Sequence, residues 1–163
     1  MGSCCGAEIE KSKVVCPCCG SEGIPVGAQT LRHLVVESRR GDIGSGGYRF
    51  CPAHACPVVY YGDEQARSFY KEDLAVKVNE KESDPAVPLC YCFNISEQDI
   101  RSEVLETGQS SASERIRAEV KAGHCACDIK NPSGRCCLKN VERVEQGLMP
   151  GWRTKSVPKP DIA

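Results

Sequence analysis

Asn131-Pro132-Ser133-Gly134-Arg135-Cys136-Cys137 ends the stretch that decides the fold of the second half of this chain. Six cysteines lie between positions 90 and 137, and they form three close pairs. The pairs are Cys90-Tyr91-Cys92, Cys125-Ala126-Cys127 and Cys136-Cys137. Thiolates gathered in this way favour zinc, Cu(I) or an iron–sulfur cluster over a hard cation. We therefore expect the second half to be organised around a soft metal centre.

The arrangement of the three pairs is typical of a [2Fe–2S] cluster held by four thiolates. The first and third pairs are predicted to stand directly before helices, where unpaired N–H groups stabilise an anionic cluster. A zinc ion would not need those amides. The candidate ligands are therefore Cys90, Cys92, either Cys127 or Cys125, and either Cys136 or Cys137.

Two cysteine knuckles precede this stretch, Cys16-Pro17-Cys18-Cys19-Gly20 and Cys51-Pro52-Ala53-His54-Ala55-Cys56. Zinc takes four ligands at tetrahedral corners, and a gap of two residues lets both sulfurs of one turn face one ion. We predict a closed, structural zinc site made of Cys16, Cys19, Cys51 and Cys56. Two alternatives stay open within that set, which are His54 in place of Cys56 and Cys18 in place of Cys19.

The composition indicates a reduced, metal-rich chain. Only 6% of the 163 residues are aromatic whereas 13 are cysteines, so thin cores need a metal or disulfide staple. The N-terminus Met-Gly-Ser-Cys-Cys-Gly does not resemble a secretory signal, and no run approaches the roughly 20 apolar residues of a membrane span. We therefore predict a cytoplasmic protein, where dense cysteine indicates metal binding rather than a secreted disulfide scaffold.

The charge balance argues against two classes of partner. With 21 basic and 22 acidic residues, the chain has no electrostatic footprint for nucleic acid or anionic lipid. A zinc-dependent DNA-binding regulator would also need a basic recognition helix, which the sequence lacks. None of the three histidines has an evident catalytic partner. We expect an electron-transfer or metal-binding protein rather than an enzyme.

The predicted fold class is α+β, in two domains. Residues 16–78 form a small zinc-knuckle domain with short antiparallel strands and a helix over Thr30–Ser38, for which Thr30 is the N-cap. Residues 79–88 are charged, carry two prolines and are read as a linker that cannot contribute to a core. Residues 89–148 form a small helical [2Fe–2S] domain. The flanking tails are 1–15, expected to be flexible, and 149–163.

Several element boundaries can be predicted within these domains. The expected strands are Tyr48–Phe50, Val58–Tyr61, Ser68–Tyr70 and Leu74–Val78. Ser96 with Asp99 forms a weak capping box for a helix that stops at Gly108. Ser111 with Glu114 forms a better one for a helix that stops at Gly123, and a third helix runs from Leu138 to near Gly147.

The cysteine pairs, the Asn131–Cys137 turn and the knuckles with Val58-Val59-Tyr60-Tyr61 resemble the N-terminal region of CopZ-type copper chaperones. The resemblance covers roughly residues 14–148. It implies a zinc site and a [2Fe–2S] cluster, the latter in a fold like that of bacterioferritin-associated ferredoxin. By matching position, the implied cluster ligands are Cys90, Cys92, Cys127 and Cys136, and the implied zinc ligands fall among Cys16, Cys19, Cys51 and Cys56.

The resemblance implies a one-electron carrier that reduces Cu(II) to Cu(I) and hands copper onward. Its expected partners are copper or other soft-metal ions and a metal-transporting ATPase or separate chaperone domain. The family continues into a domain with a Met-x-Cys-x-x-Cys copper loop, but no Cys-x-x-Cys follows position 92 here. Cys4 and Cys5 offer a further Cu(I) site. The alternative function is a soft-metal chaperone or sensor whose metal sites are structural and undergo no redox turnover.

Overall fold

The computed structural model describes residues 14–64 and 67–149. The α+β class is confirmed, because short antiparallel strands precede a mainly helical second half. Cys4, Cys5 and most of the two predicted tails lie outside the described residues. Within the described part of the chain, no helix is long and apolar enough to cross a membrane.

The first half is built on a four-stranded antiparallel sheet in the order β1-β2-β3-β4. These strands are β1 (Ile24–Val26), β2 (Tyr48–Phe50), β3 (Val58–Gly62) and β4 (Ser68–Tyr70). Phe50, Tyr60 and Phe69 are fully buried and pack with Leu31, which lies in the helix between β1 and β2. Three of the strands match the sequence prediction, whereas β1 was missed because it has only three residues and contains a proline.

The helix predicted over Thr30–Ser38 is wrong in both its start and its end. Two shorter helices take its place, α1 (Ala28–Leu34) and α2 (Glu37–Arg40). Between them Val35 is extended and forms a β-bridge with Leu74, a conformation that suits a β-branched residue. The predicted strand Leu74–Val78 is reduced to that bridge. Thr30 lies inside α1 and is buried, so it is not the N-cap.

The second half consists of a hairpin and four helices. The hairpin pairs β5 (Pro88–Cys90) with β6 (Ile95–Ser96), and the helices are α3 (Glu97–Thr107), α4 (Ala112–Lys121), α5 (Cys127–Lys130) and α6 (Leu138–Leu148). Ile100, Ile116 and Val141 bring α3, α4 and α6 together in one apolar cluster with Cys90 and Cys137. The cysteines therefore form part of the core itself.

The two predicted capping boxes have different outcomes. Ser96 Oγ accepts a hydrogen bond from the Asp99 N–H at 3.2 Å, and the Asp99 carboxylate accepts one from the Ser96 N–H at 2.8 Å. Ser111 makes no side-chain cap bond. Instead the buried Glu145 carboxylate accepts a hydrogen bond from the Ser113 N–H at 3.0 Å. A contact from a distant helix replaces the local cap.

The expectation that residues 79–88 contribute nothing to a core is wrong. Val87 is 3% exposed and Lys81 is 4% exposed. A 3₁₀ turn covers Asn79–Lys81, and the Asn79 side chain donates to the Val87 carbonyl at 3.2 Å. Lys81 reaches the second cysteine knuckle by donating to Ala53. The domain boundary in this segment stays a prediction.

The two halves touch through the Asn131–Gly134 turn. The buried Tyr60 hydroxyl on β3 donates to the Pro132 carbonyl at 2.5 Å. The Thr30 hydroxyl donates to the Asp128 carbonyl, and α1 packs against α5. Since α5 begins at Cys127, this contact fixes the position of one cysteine of the second half.

Candidate metal centres

The first candidate centre brings together the four predicted zinc ligands. The Sγ atoms of Cys16, Cys19, Cys51 and Cys56 all lie within 4.8 Å of one another. Cys16 and Cys56 are 3.8 Å apart, and Cys19 and Cys51 are 3.6 Å apart. A tetrahedral zinc ion with Zn–S bonds of about 2.3 Å needs sulfurs about 3.8 Å apart. The donor set and its spacing therefore fit zinc.

Local backbone geometry shapes both knuckles. The first is closed by a hydrogen bond from the Cys16 N–H to the Ser21 carbonyl at 2.8 Å, and Gly20 turns the chain at a φ of +73°. A residue with a side chain would be strained there. The second knuckle connects β2 to β3, and the Cys51 N–H donates to the Val59 carbonyl at 2.9 Å. Strand pairing thus holds two of the thiols.

The structure places the two alternative zinc ligands outside this group of thiols. The His54 ring faces the 79–83 segment, where Nδ1 is 2.9 Å from the Glu80 carbonyl and Nε2 is 3.3 Å from the Ser83 hydroxyl. Cys18 and Cys19 are both exposed, but the Cys19 thiol lies within 4.8 Å of the other three, and the Cys18 thiol is not in that group. The geometry therefore favours Cys56 over His54 and Cys19 over Cys18.

The four thiols differ in how readily they ionise. The hydroxyl of Ser21 lowers the pKa of Cys19 to about 6. Burial raises the pKa of Cys56 and of Cys51, and at Cys51 the charge of Lys81 opposes the rise. One thiolate is thus available to capture a cation. The buried thiols must lose their protons as the ion binds, so zinc binding releases protons.

The second candidate centre lies in the helical half. The Sγ atoms of Cys92, Cys125 and Cys127 lie within 4.8 Å of one another. Cys92 and Cys127 are 3.6 Å apart, whereas Cys125 and Cys127 are 3.2 Å apart. The Ala126 N–H donates to Cys92 Sγ at 3.3 Å. Both candidates for the third ligand, Cys125 and Cys127, are therefore present at the centre.

Two further buried thiols adjoin this group. Cys90 is fully buried and Cys137 is 1% exposed. Cys137 packs in the same buried cluster as Cys90 and Cys127. Cys136, the implied fourth ligand, is exposed, and its charge acts on the Cys125 thiol. Both candidates for the fourth place therefore lie near the other thiols, and Cys137 is the buried one.

The first cysteine pair does not stand directly before a helix, which corrects the sequence analysis. The hairpin intervenes, with Asn94 turning the chain at a φ of +54°, and α3 begins only at Glu97. Cys137, in contrast, directly precedes the eleven-residue helix α6. The argument from helix N-termini therefore does not apply to Cys92, whose thiol receives an N–H from Ala126 instead.

Thiol contacts separate the pKa values at the second centre. The neighbouring Cys137 thiol lowers the pKa of Cys127 to about 5 and that of Cys90 to about 7. Burial raises the pKa of Cys92 to about 12 and also raises that of Cys125. Among these thiols Cys127 ionises most readily, and its thiolate charge attracts a soft cation.

The sequence analysis did not assign a role to two residues beside the centres. Lys81 reaches the first centre through Ala53, and Tyr91, between Cys90 and Cys92, donates its hydroxyl proton to the Lys77 carbonyl at 2.6 Å. The presence of a tyrosine inside Cys-x-Cys was visible in the sequence. Nothing in the local sequence of Lys81 indicates its position.

Comparison with known proteins places this arrangement in a family. The CopZ family model for a zinc-binding domain matches residues 13–75. The copper chaperone CopZ of Archaeoglobus fulgidus is 32% identical over 147 residues, which cover 90% of this chain and 68% of that protein. The X-ray structure of the N-terminal domain of that CopZ superposes with a TM-score of 0.68 at 32% identity, covering 83% of this chain and 98% of the other. On fold, thiol arrangement and sequence together, the chain belongs to the CopZ family.

Proposed function

We propose that this protein handles copper or another soft metal through two centres made of thiols. The observation that carries the proposal is the group of three thiols at the second centre, Cys92, Cys125 and Cys127, which packs in one cluster with the buried Cys90 and Cys137. Among the described residues, neither grouped set of ligands includes an imidazole or a carboxylate. Such a donor set selects soft ions over hard ones. The similarity to a protein named copper chaperone supports copper as the metal.

The two centres have different roles in this proposal. The first is a closed site whose four thiols match the four ligands of structural zinc. The second offers more thiols than one ion needs, and Cys92 and Cys125 remain partly exposed. The first centre therefore stabilises the fold, while the second exchanges metal or electrons with the surroundings. A cytoplasmic location, where thiols stay reduced, suits both roles. A metal-transporting ATPase or a separate chaperone domain is the proposed recipient.

The finer proposal is that the second centre holds a [2Fe–2S] cluster and passes one electron to Cu(II). A two-iron cluster takes four thiolates. The proposed set is Cys90, Cys92 and Cys127 with either Cys136, which the resemblance implies, or the buried Cys137. When bound, an all-thiolate cluster supplies a one-electron couple, at about −400 mV in plant-type ferredoxins. The Ala126 N–H bond to Cys92 Sγ tunes such a couple by stabilising sulfur charge. The buried Cys90 and Cys137 keep water from that side.

The alternative, a soft-metal chaperone or sensor without redox turnover, also has a specific observation in its favour. Cys92, Cys125 and Cys127 form a compact group of three thiols. Three sulfurs so close together suit a single Cu(I) ion. In this case the centre binds and releases copper, and the zinc site is only structural.

The deciding experiment is metal and sulfide analysis of anaerobically purified protein, with a visible spectrum of the same sample. About two irons and one zinc per chain, with bands that dithionite bleaches, support the cluster. Adding Cu(II) to the reduced protein should then restore the bands as Cu(I) forms. A colourless protein that competes for Cu(I) with a chromogenic chelator supports the alternative. A protein that binds neither iron nor copper would overturn the whole proposal.

A further inference from the structure

Lys81 is a buried cation that forms no salt bridge in the part of the chain that the structure describes. Its side chain is 4% exposed, and its ammonium donates to the Ala53 carbonyl at 2.7 Å. No salt bridge from it to a described acidic residue is found. Burying an ammonium is costly unless a negative charge compensates it. A counter-charge is therefore expected nearby.

The neighbouring Glu80 forms no salt bridge with Lys81 among the described residues. One of its carboxylate oxygens is buried and has no hydrogen-bond partner there. Burial raises the pKa of Glu80, and the charge of Lys81 opposes that rise. A further source of negative charge beside Lys81 would compensate its ammonium more fully.

The loop that Lys81 contacts belongs to the first metal centre. Ala53 lies between Cys51 and Cys56, and the Lys81 ammonium donates to its carbonyl at 2.7 Å. Four thiolates around one divalent ion leave two negative charges uncompensated. A buried ammonium beside them offsets part of that charge, just as the thiolates offset the cost of burying the ammonium.

The segment around Lys81 is held against the same knuckle by independent contacts. The His54 ring is within hydrogen-bond distance of the Glu80 carbonyl and the Ser83 hydroxyl. The 3₁₀ turn Asn79–Lys81 therefore has a fixed position relative to Cys51 and Cys56. The contacts of its backbone segment therefore fix the position of Lys81 beside the knuckle.

We propose that Lys81 is a positioning residue and the counter-charge of the four-thiol centre. Its ammonium holds the Cys51–Cys56 loop through Ala53 and stabilises the bound zinc thiolates. Lys81 lies beyond residues 13–75, the span of the zinc-binding family match, so the proposal extends the centre into the following segment. It rests on the proposed ligand set of Cys16, Cys19, Cys51 and Cys56.

The test measures how fast the zinc-loaded full chain loses zinc to a colorimetric chelator. Lys81→Met removes the charge and the donor, Lys81→Gln keeps a donor without the charge, and Lys81→Arg keeps both. Lys77→Met is the matched control, since Lys77 lies in the same region and its side chain is 68% exposed. The Met and Gln variants should release zinc about tenfold faster, as is usual when an outer-shell partner is lost. The Arg and control variants should stay near the wild-type rate.

Equal release rates for the Gln and Arg variants, whether fast or slow, overturn the counter-charge role. The Gln and Arg variants separate this role from a merely structural one, because both keep a donor for the Ala53 carbonyl and only Arg keeps the charge. If Lys81→Met does not fold, the Gln and Arg pair still decides. Failure of the ligand set would appear separately, as undiminished zinc content in Cys51→Ser.

Discussion

The two thiol centres are assembled in different ways. The first takes its four thiols from two knuckles, one closed by its own backbone turn and one held between paired strands. The second takes its thiols from a hairpin, the start of α5 and the start of α6. Knuckle spacing is a local property, whereas the meeting of three segments depends on helix packing. A ligand set can therefore be predicted more firmly from the sequence for the first centre than for the second.

The centres also differ in the number of thiols that they contain. Four converge at the first, and Cys18 stays exposed beside them. At the second, three thiols converge and two more are buried in the same cluster, while Cys136 is exposed. An excess of thiols suits a centre that exchanges its metal, whereas four thiols matched to four ligand positions suit a metal that stays bound. The substitutions below test this contrast, in order of decreasing effect.

Cys51→Ser should have the largest effect, because it removes one corner of a site on which a small sheet depends. Structural zinc contributes about 10–16 kcal/mol of apparent binding energy in small zinc domains. We expect loss of zinc and loss of the cooperative thermal transition of the first half. Zinc content and near-ultraviolet circular dichroism measure both.

Cys18→Ser is the matched control for that substitution. Its thiol is exposed and lies outside the group of four. It should keep one zinc per chain and an unchanged transition. If both variants lost zinc equally, the first centre would not be a matched set of four and the contrast between the centres would disappear.

Cys137→Ser and Cys136→Ser form the next pair, and they address the fourth place at the second centre. Cys137 is buried in one cluster with Cys90 and Cys127, whereas Cys136 is exposed. We expect Cys137→Ser to weaken metal retention by more than the about tenfold to hundredfold that an outer-shell change costs. Cys136→Ser should leave retention unchanged. The measurement is the metal content of the second centre after dialysis. If Cys136→Ser lost the metal and Cys137→Ser kept it, Cys136 would be the fourth ligand, as the family resemblance implies.

Tyr60→Phe tests the contact that joins the two halves. It leaves the buried Pro132 carbonyl without the hydroxyl that now donates to it, which costs about 1–3 kcal/mol. Urea unfolding should show that loss, and the second centre should retain its metal less well because α5 loses support. Tyr70→Phe is the control, since Tyr70 is 39% exposed. A drop in stability without any change in metal retention would show that the second centre is assembled independently of the sheet.

The features that could be predicted from the sequence are the local ones, and those that could not depend on contacts between distant parts of the chain. The three longer helices, three strands and the four-thiol group were all visible as local patterns. The break in the first helix was not, because Val35 leaves the helix to bridge Leu74, which lies far away in the chain. The same limit applies to Lys81, which lies in a charged segment but is buried by the knuckle that it contacts.

At the second centre, local patterns identified the cysteines but did not show which of them lie in the core as candidate ligands. Cys136 and Cys137 are adjacent, so one must point away when the other enters the core. Which one enters depends on how α6 packs against α3 and α4, and the sequence spacing contains no information on that choice. The capping boxes show the same limit, since Ser111 lost its predicted role to Glu145 from another helix.

Ser96→Ala should have the smallest effect, because it removes a purely local interaction. Loss of an N-cap side chain costs about 1 kcal/mol, which urea unfolding near neutral pH would detect.

Hydrogen bonds from the Ser96 backbone and hydroxyl lower the pKa of Asp99. A lowered carboxyl pKa stabilises the fold above the unfolded-state value, and the stabilisation is lost as the pH falls through the folded-state value. The stability difference between wild type and variant should therefore shrink in acid, whereas Ser102→Ala, exposed within the same helix, should show no such pH dependence. Ser96 lies only four residues after Cys92, but its capping hydrogen bonds go to Asp99 and to no thiol. Metal content should therefore not change, and a loss of metal would show that the second centre depends on the hairpin and α3 more than on the contacts of α5 and α6.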